Sequence, residues 1–307
     1  SPDETSTRPN LKAMEPGKST PDQLTFIGGG CLAQALISGI YSTNSSWRDG
    51  CKISVTARRQ EQIDELKAKF PLANVTNNNL DSTIWSTVTS QQSDSHVVLI
   101  CTLPIDVPKV CLELASIIKT LDVTSRPTVV TMCPGISVAQ LQSWLPEETP
   151  IVRSMPNTPV MCRQGATALF PSDTALSRIE LVAAVFREVS PAISVLPQES
   201  LLDVVAAISG SAPAHFYYLI ESMIAAAESH GLPTDIARSL IVQSCVGSGL
   251  LSQETDRSIH TLRKDVCVPG GSTEKAINYL AENSFPKIVQ DAVGKSLRAN
   301  REMGRVG

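Results

Sequence analysis

Two stretches of this chain combine residue types and spacing that suit ligand chemistry, and they lie at opposite ends. Near the C-terminus, Val268-Pro269-Gly270-Gly271-Ser272-Thr273 precedes a helical pattern through Glu274-Lys275-Ala276-Ile277. A proline followed by two glycines lets backbone amides crowd together, and a Ser-Thr pair opens the helix, so free N–H groups converge on one point. That point suits an anion or a polar ligand atom, and equally a plain helix cap. At the other end, the apolar run 24–27 leads into Gly28-Gly29-Gly30-Cys31-Leu32-Ala33 and an amphipathic stretch. Gly-x-Gly-x-x-Ala between strand and helix is the dinucleotide fingerprint. Gly28 serves the turn, Gly30 the approach of a pyrophosphate, and Ala33 the packing of helix on strand.

The elements that must position these residues follow from the rest of the pattern. A second strand is expected at 52–57, ending beside the adenosine ribose, where NAD sites place an acid. Here it ends in Ala57-Arg58-Arg59, and guanidinium groups suit a 2′-phosphate, although two arginines also fit a solvated helix start. NADPH is therefore favoured, with NADH possible. The continuous apolar run 96–101 reads as a buried parallel strand ending in Thr102-Leu103-Pro104, with a helix over about 107–119 behind it. Residues 127–132 read as another buried strand, closed by Cys133-Pro134-Gly135. Both strand ends should line the cofactor crevice, because doubly wound sheets bind ligands at their carboxyl edge. After a short strand at 151–153 comes Ser154-Met155-Pro156-Asn157-Thr158-Pro159. Two prolines stiffen that loop; Asn157 offers the donor and acceptor that a nicotinamide carboxamide needs, or else forms a structural Asx turn.

With 307 residues, 42% hydrophobic and 18% charged, the chain can bury a large core and divide into two domains. A net charge of -4 without a Lys/Arg run gives no reason to expect nucleic acid, and no apolar run suits a membrane helix. Eight cysteines without a CxxC pair read as reduced thiols of a cytoplasmic protein. Residues 1–22, polar and proline-rich, read as a flexible arm. Residues 23–173 form an α/β unit, a Rossmann-type dinucleotide-binding domain. Over 174–307 the texture is helical, with helices expected at 175–189, 200–208, 213–230, 233–253, 258–266, 273–281 and 286–303. Gly231 should end one helix, with His230 at its dipole, and Pro233 should sit in the first turn of the next. Residues 216–227 are apolar almost all round, so that helix should be buried in its own bundle or in a partner's, and a homodimer is favoured.

Conventional catalytic groups are scarce. His96, His215, His230 and His260 have no metal spacing, and no G-x-S-x-G elbow occurs. Ser209-Gly210-Ser211-Ala212-Pro213 suits a tight start to a helix better than a phosphate loop. Hydride transfer to a carbon–nitrogen double bond needs little from the protein: the cofactor carries the hydride, and an imine is protonated near neutral pH.

Taken together, Phe26-Ile27-Gly28-Gly29-Gly30, Arg153 to Pro159, Ala207 to Ala214, Gly231-Leu232-Pro233 and Pro269 to Thr273 resemble the pyrroline-5-carboxylate reductase family, from about residue 24 to 303. The resemblance implies an NAD(P)H-binding Rossmann domain, a helical dimerisation domain, and reduction of a cyclic imine to a pyrrolidine such as proline. It also implies that Thr273 donates to the ring nitrogen and that backbone around Gly271 and Ser272 holds the substrate carboxylate. Four positions depart from the family pattern: Val268 where Ser or Thr is usual, Leu103-Pro104 where Lys-Pro is usual, His215 for a Tyr, and Asp256 for a Glu that faces the active cleft. The residues assigned to the substrate are then Val268, Gly270, Gly271, Ser272 and Asp256, with Thr273 catalytic. Those assigned to the cofactor are Gly28, Gly30, Cys31, Leu32, Arg58, Arg59, Asn79, Thr102, Leu103, Pro104, Cys133 and Asn157. The expected activity is NADPH-dependent reduction of a cyclic imine. The alternatives are a paralogous reductase for a substituted or larger ring, and a cofactor-binding protein without catalysis.

Overall fold

The computed structural model describes residues 20–42, 50–85 and 95–303. Most of the arm expected at 1–22 lies outside them. From Gln23 the chain alternates strand and helix: β1 (Gln23–Ile27), α1 (Cys31–Ser42), β2 (Lys52–Thr56), α2 (Gln60–Lys69), β3 (Asn74–Thr76), α3 (Ser82–Trp85), β4 (His96–Ile100), α4 (Val107–Ile118), β5 (Thr128–Thr131), α5 (Val138–Trp144) and β6 (Ile151–Pro156). Then follow β7 (Ala166–Pro171), α6 (Ile179–Arg187), β8 (Ala192–Val195) and α7 (Leu201–Val205). The sheet order is β3-β2-β1-β4-β5-β6-β7-β8. All pairs from β3 to β6 are parallel, and only β6 with β7 is antiparallel. The order 3-2-1-4-5-6 is that of the doubly wound dinucleotide-binding sheet, in agreement with the expected α/β class.

The strands are apolar on both faces because both faces are covered. Leu24, Phe26, Val97 and Leu99 point to one side, against Leu36 and Ile37 of α1, Leu66 of α2 and Phe186 of α6. Ile27, Val98 and Ile100 point to the other, against Val110, Leu114 and Ile118 of α4 and Leu141 of α5. Each such buried side chain contributes on the order of 1.5–3 kcal/mol, so β1 and β4, central and fully covered, are where the sheet is held most firmly.

Three strands were not expected: β3, β7 and β8. β3 has three residues and β8 four, and β8 alternates exposed and half-buried positions at the sheet's edge. Runs so short carry no readable period. The helical texture from about residue 174 is therefore interrupted: a 3-10 segment (Asp173–Arg178) precedes α6, and β8 returns to the sheet before the helices take over.

Two compact units result. One runs through Gly210 and resumes at Leu297, and the other is Ser211–Ser296. The second contains α8 (Ala212–Ser229), α9 (Thr234–Gln253), α10 (Ile259–Val266), α11 (Ser272–Glu282) and the start of α12 (Phe285–Met303). α8 ends as the sequence suggests. Gly231 at φ +88 donates to Glu228 O at 2.9 Å and Leu232 to Ala227 O at 3.0 Å, a Schellman closure with His230 as C-cap. Pro233 lies one position earlier than expected: it is the N-cap of α9, and its carbonyl accepts the first helical bond, from Ala237. Taken by itself, α8 buries only Pro213 and exposes Phe216, Tyr217, Tyr218, Leu219 and Met223.

Candidate active site

The carboxyl ends of β1, β2 and β4 open onto a cleft of about 700 Å³. Its floor is the glycine turn. Gly28 sits at φ +104, and a Cβ there would lie 3.0 Å from Cys101 O and 3.3 Å from Thr102 Cγ2. Only a residue without a side chain lets β1 turn this close to the end of β4. Gly28 N donates to Thr56 Oγ1 at 3.3 Å, and Gly29 O accepts from Gln34 Nε2 at 3.0 Å and Gln62 Nε2 at 2.9 Å, which pins the turn against α1 and α2. The free amides at the start of α1 follow, at Cys31 and Leu32, and no acidic side chain occupies that first turn. On the opposite wall Thr102 presents a buried hydroxyl that has no hydrogen-bond partner among the described residues. A tight glycine cradle beside an unpartnered hydroxyl fits a bound dinucleotide, whose pyrophosphate and sugar oxygens would meet both.

Of the residues assigned to the cofactor, Gly28, Gly30, Arg58, Asn79, Thr102 and Leu103 line this cleft. Arg58 is largely exposed and pairs with Asp106 at 3.2 Å, while Arg59 is the N-cap of α2, exposed and off the wall. Cys31, Leu32 and Pro104 adjoin the lining residues in sequence without lining the cleft themselves. Cys133 stands behind the wall, with its thiol donating to Thr102 O at 3.1 Å, because β5 ends one strand further from β1 than β4 does. Asn157 has both ends of its amide engaged with backbone: Nδ2 donates to Ser209 O at 3.4 Å and Oδ1 accepts from Ala166 N at 2.9 Å. Those bonds tie β6 to β7 and to a π-type turn (Ala206–Gly210), so the structural role holds in this structure.

The cleft also recruits residues that sequence reasoning missed. Asn77 and Asn78 follow the short strand β3, and Asp106, Lys109, Val110 and Glu113 form one face at the start of α4. Glu113 accepts from Asn79 Nδ2 at 2.9 Å and so orients that side chain. The spacing 106, 109, 110, 113 was a readable signal, since it is one stripe of a helix.

In the second unit, Val268 to Gly271 form a turn closed by Gly271 N to Val268 O at 2.8 Å, with Gly270 at φ +74 in the position that demands glycine. Gly271 is the N-cap of α11, Ser272 its first residue and Thr273 its second, half-buried. Val268 is exposed, and Asp256 is exposed in the connection between α9 and α10. The Gly270 amide is already taken: it donates to Glu274 Oε2 at 2.7 Å.

Comparison with known proteins bears on what these parts do. The family described as pyrroline-5-carboxylate reductase dimerisation matches residues 199–303. Over 285 residues, 92% of this chain and 96% of the relative, the sequence is 44% identical to Delta-1-pyrroline-5-carboxylate reductase apf3 of Gibberella fujikuroi. This chain belongs to the pyrroline-5-carboxylate reductase family. The pyrroline-5-carboxylate reductase of Pseudomonas aeruginosa is 29% identical over 93% of this chain and 97% of its own. Among solved structures, the pyrroline-5-carboxylate reductase of Coxiella burnetii superposes with a TM-score of 0.81 at 29% identity, covering 92% of this chain and 98% of that one. The fold is shared also by the Plasmodium falciparum pyrroline carboxylate reductase, solved with NADP bound, at a TM-score of 0.73, 22% identity and coverage of 92% and 99%.

In this pyrroline-5-carboxylate reductase family member the dimerisation segment includes the helices whose apolar side chains lie open in the single chain. Burial pushes the Cys101 thiol well up, and Cys133 beside it adds to the effect; Cys133 itself is raised by burial. Both thiols stay protonated and offer no nucleophile. Among the described residues no cluster of His, Cys, Asp and Glu could hold a metal ion, and no helix is long and apolar enough to cross a membrane.

Proposed function

We propose that this chain reduces the C=N bond of a cyclic imine with NADPH, most simply 1-pyrroline-5-carboxylate to L-proline. The observation that carries this reading is the glycine cradle in a cleft lined also by Thr102, whose buried hydroxyl is unpartnered, in a chain 44% identical to a relative named for that reaction. Gly28, Gly30, Cys31 and Leu32 would hold the pyrophosphate with Asn79, Thr102, Leu103 and Pro104 around it. Arg58 and Arg59 take the 2′-phosphate, which favours NADPH over NADH, and Cys133 and Asn157 support the nicotinamide end. The NADP-bound Plasmodium relative of the same fold supports the cofactor class. When bound, NADPH supplies a hydride.

The substrate is assigned to the turn of the second unit. Backbone around Gly271 and Ser272 holds its carboxylate, Gly270, Val268 and Asp256 flank it, and the Thr273 hydroxyl donates to the ring nitrogen. Thr273 can donate while that nitrogen is neutral; the nitrogen takes up its proton near neutral pH, so no strong enzyme acid is needed, and positioning supplies most of the rate. The working form is a cytoplasmic homodimer or a higher homo-oligomer built on it, closed over the open apolar helices of the dimerisation segment.

Val268 favours a second reading within the same chemistry. A valine offers no hydroxyl to a carboxylate, so a substituted or larger ring is the competing substrate. One assay separates these readings: NADPH consumption by the purified protein with pyrroline-5-carboxylate, a piperideine and a ring-substituted pyrroline at equal concentrations. Fast turnover of pyrroline-5-carboxylate alone is expected, and preference for another ring moves the assignment to it. Thr273→Ala should lower kcat about 100-fold while the KM for NADPH stays within about twofold. No turnover of any imine by the parent protein leaves a cofactor-binding protein without catalysis.

A further inference from the structure

Four charged side chains line the cleft at the carboxyl ends of β1, β2 and β4: Arg58, Asp106, Lys109 and Glu113. Three of them are engaged. Arg58 Nη2 donates to Asp106 Oδ2 at 3.2 Å, and Glu113 Oε2 accepts from Asn79 Nδ2 at 2.9 Å. The Lys109 ammonium has no partner among the described residues. Asp106, Lys109 and Glu113 recur at helical spacing, so they share one stripe at the start of α4. The two acids of that stripe reach residues that follow β2 and β3, on the wall where the adenosine ribose is expected, and Lys109 stands between them. Arg58 and Lys109 together balance the two carboxylates. Without Lys109 the lining would be net negative, and a phosphate dianion would have only Arg58, itself shared with Asp106, to hold it. Arg59 lies off this lining. A separate observation shows that the cleft is built for a ligand: the Thr102 hydroxyl is buried and unpartnered among the described residues of the same lining.

We propose that Lys109 is a specificity-determining residue that pairs with the 2′-phosphate of NADPH and so sets the preference for NADPH over NADH. The inference rests on the assignment of the dinucleotide to this cleft, with its ribose at the end of β2. A lysine meets a phosphate as a point charge on a flexible stem, with three protons to donate. The pair forms on an exposed helix face, where salt screens it, so its contribution is about tenfold in Kd at low ionic strength and shrinks as salt is added. NADH carries no 2′-phosphate and gains nothing from this pair.

The test measures binding without turnover, in the parent protein, Lys109→Ala and Lys109→Arg. Fluorescence titration gives Kd for NADPH and NADH, and calorimetry gives Kd for adenosine 2′,5′-bisphosphate and adenosine 5′-monophosphate. Lys109→Ala should raise the Kd for NADPH and for the bisphosphate about tenfold and leave the other two within about twofold. Lys109→Arg, which keeps the charge, should stay within about threefold of the parent for all four ligands. Because Lys109 is exposed, thermal unfolding of Lys109→Ala without ligand should match the parent. Equal weakening of NADPH and NADH would place Lys109 on the pyrophosphate and overturns the proposal, as does an unchanged Kd for NADPH. A parent protein that binds NADPH no more tightly than NADH, or binds neither, overturns it together with the cofactor reading on which it rests. A parent that prefers NADPH, with the preference intact in Lys109→Ala, overturns the role of Lys109 alone.

Discussion

Substituting Gly28 and Gly30 of the cleft separates backbone strain from ligand contact, because the structure places them in different surroundings. At Gly28 an alanine Cβ would lie 3.0 Å from Cys101 O and 3.1 Å from Cys101 C, with the backbone at φ +104. Left-handed backbone costs an L-residue roughly 1–2 kcal/mol. The crowded atoms belong to the main chain at the end of β4, which no rotamer change can move, and overpacking of this kind adds about 1–3 kcal/mol. Gly28→Ala should therefore destabilise the protein by about 2–5 kcal/mol before any ligand is added. At Gly30 the nearest atom to a new Cβ is Cys101 O at 4.0 Å, an ordinary contact, so Gly30→Ala should leave unfolding nearly unchanged. Its methyl group would instead stand where the pyrophosphate approaches, and NADPH affinity should fall about tenfold or more. Thermal unfolding without ligand and fluorescence titration with NADPH read the two effects apart. A Gly28→Ala protein as stable as the parent refutes the strain argument, and a Gly30→Ala protein that binds NADPH normally refutes the placement of the pyrophosphate.

Three further outcomes are expected. Arg58→Ala should raise the Kd for NADPH about tenfold and leave that for NADH within about twofold, since a guanidinium distinguishes the cofactors only through the 2′-phosphate; parallel titrations check it. Tyr218→Asp places a charge on the exposed apolar face of α8 and should weaken self-association by a factor of about 30 or more, as sedimentation velocity over a range of concentrations would show. His96 is buried at the start of β4, with Nε2 3.0 Å from Thr25 Oγ1, and burial with the nearby Lys52 charge pushes its pKa from 6.5 down to about 3. The folded protein therefore stays neutral there while the unfolded chain takes up a proton below about pH 6.5. This contribution to stability is intact above that pH and falls by about 1.4 kcal/mol per pH unit on acidification toward about 3. Denaturant unfolding between these limits should show the slope, and His96→Gln should flatten it.

Features set by neighbours along the chain were readable before folding was considered. The glycine turn between β1 and α1, the two-sided apolar strands, the Gly231 helix stop and the Pro269-Gly270 turn each depend on a few adjacent residues. The α/β class and the helical run near the C-terminus follow from them. Glu274 was readable on the same terms, as an acid at the third position of α11, yet its reach back to Gly270 came to light only in the structure. The tertiary structure decided which separate elements share the cleft. Asn77 to Asn79 reach it only because β3, too short to show a period, pairs beside β2; Asp106, Lys109 and Glu113 reach it because of the way α4 rotates onto the sheet. Cys133 falls behind Thr102 for a comparable reason, since β5 is one strand further from the glycine turn, and Asn157 is drawn into ties with Ala166 and Ser209 that its own loop does not announce. Local sequence selects turns and periods through short-range sterics, while register, crossover and helix rotation depend on how the whole core packs, and those determine which side chains meet a ligand.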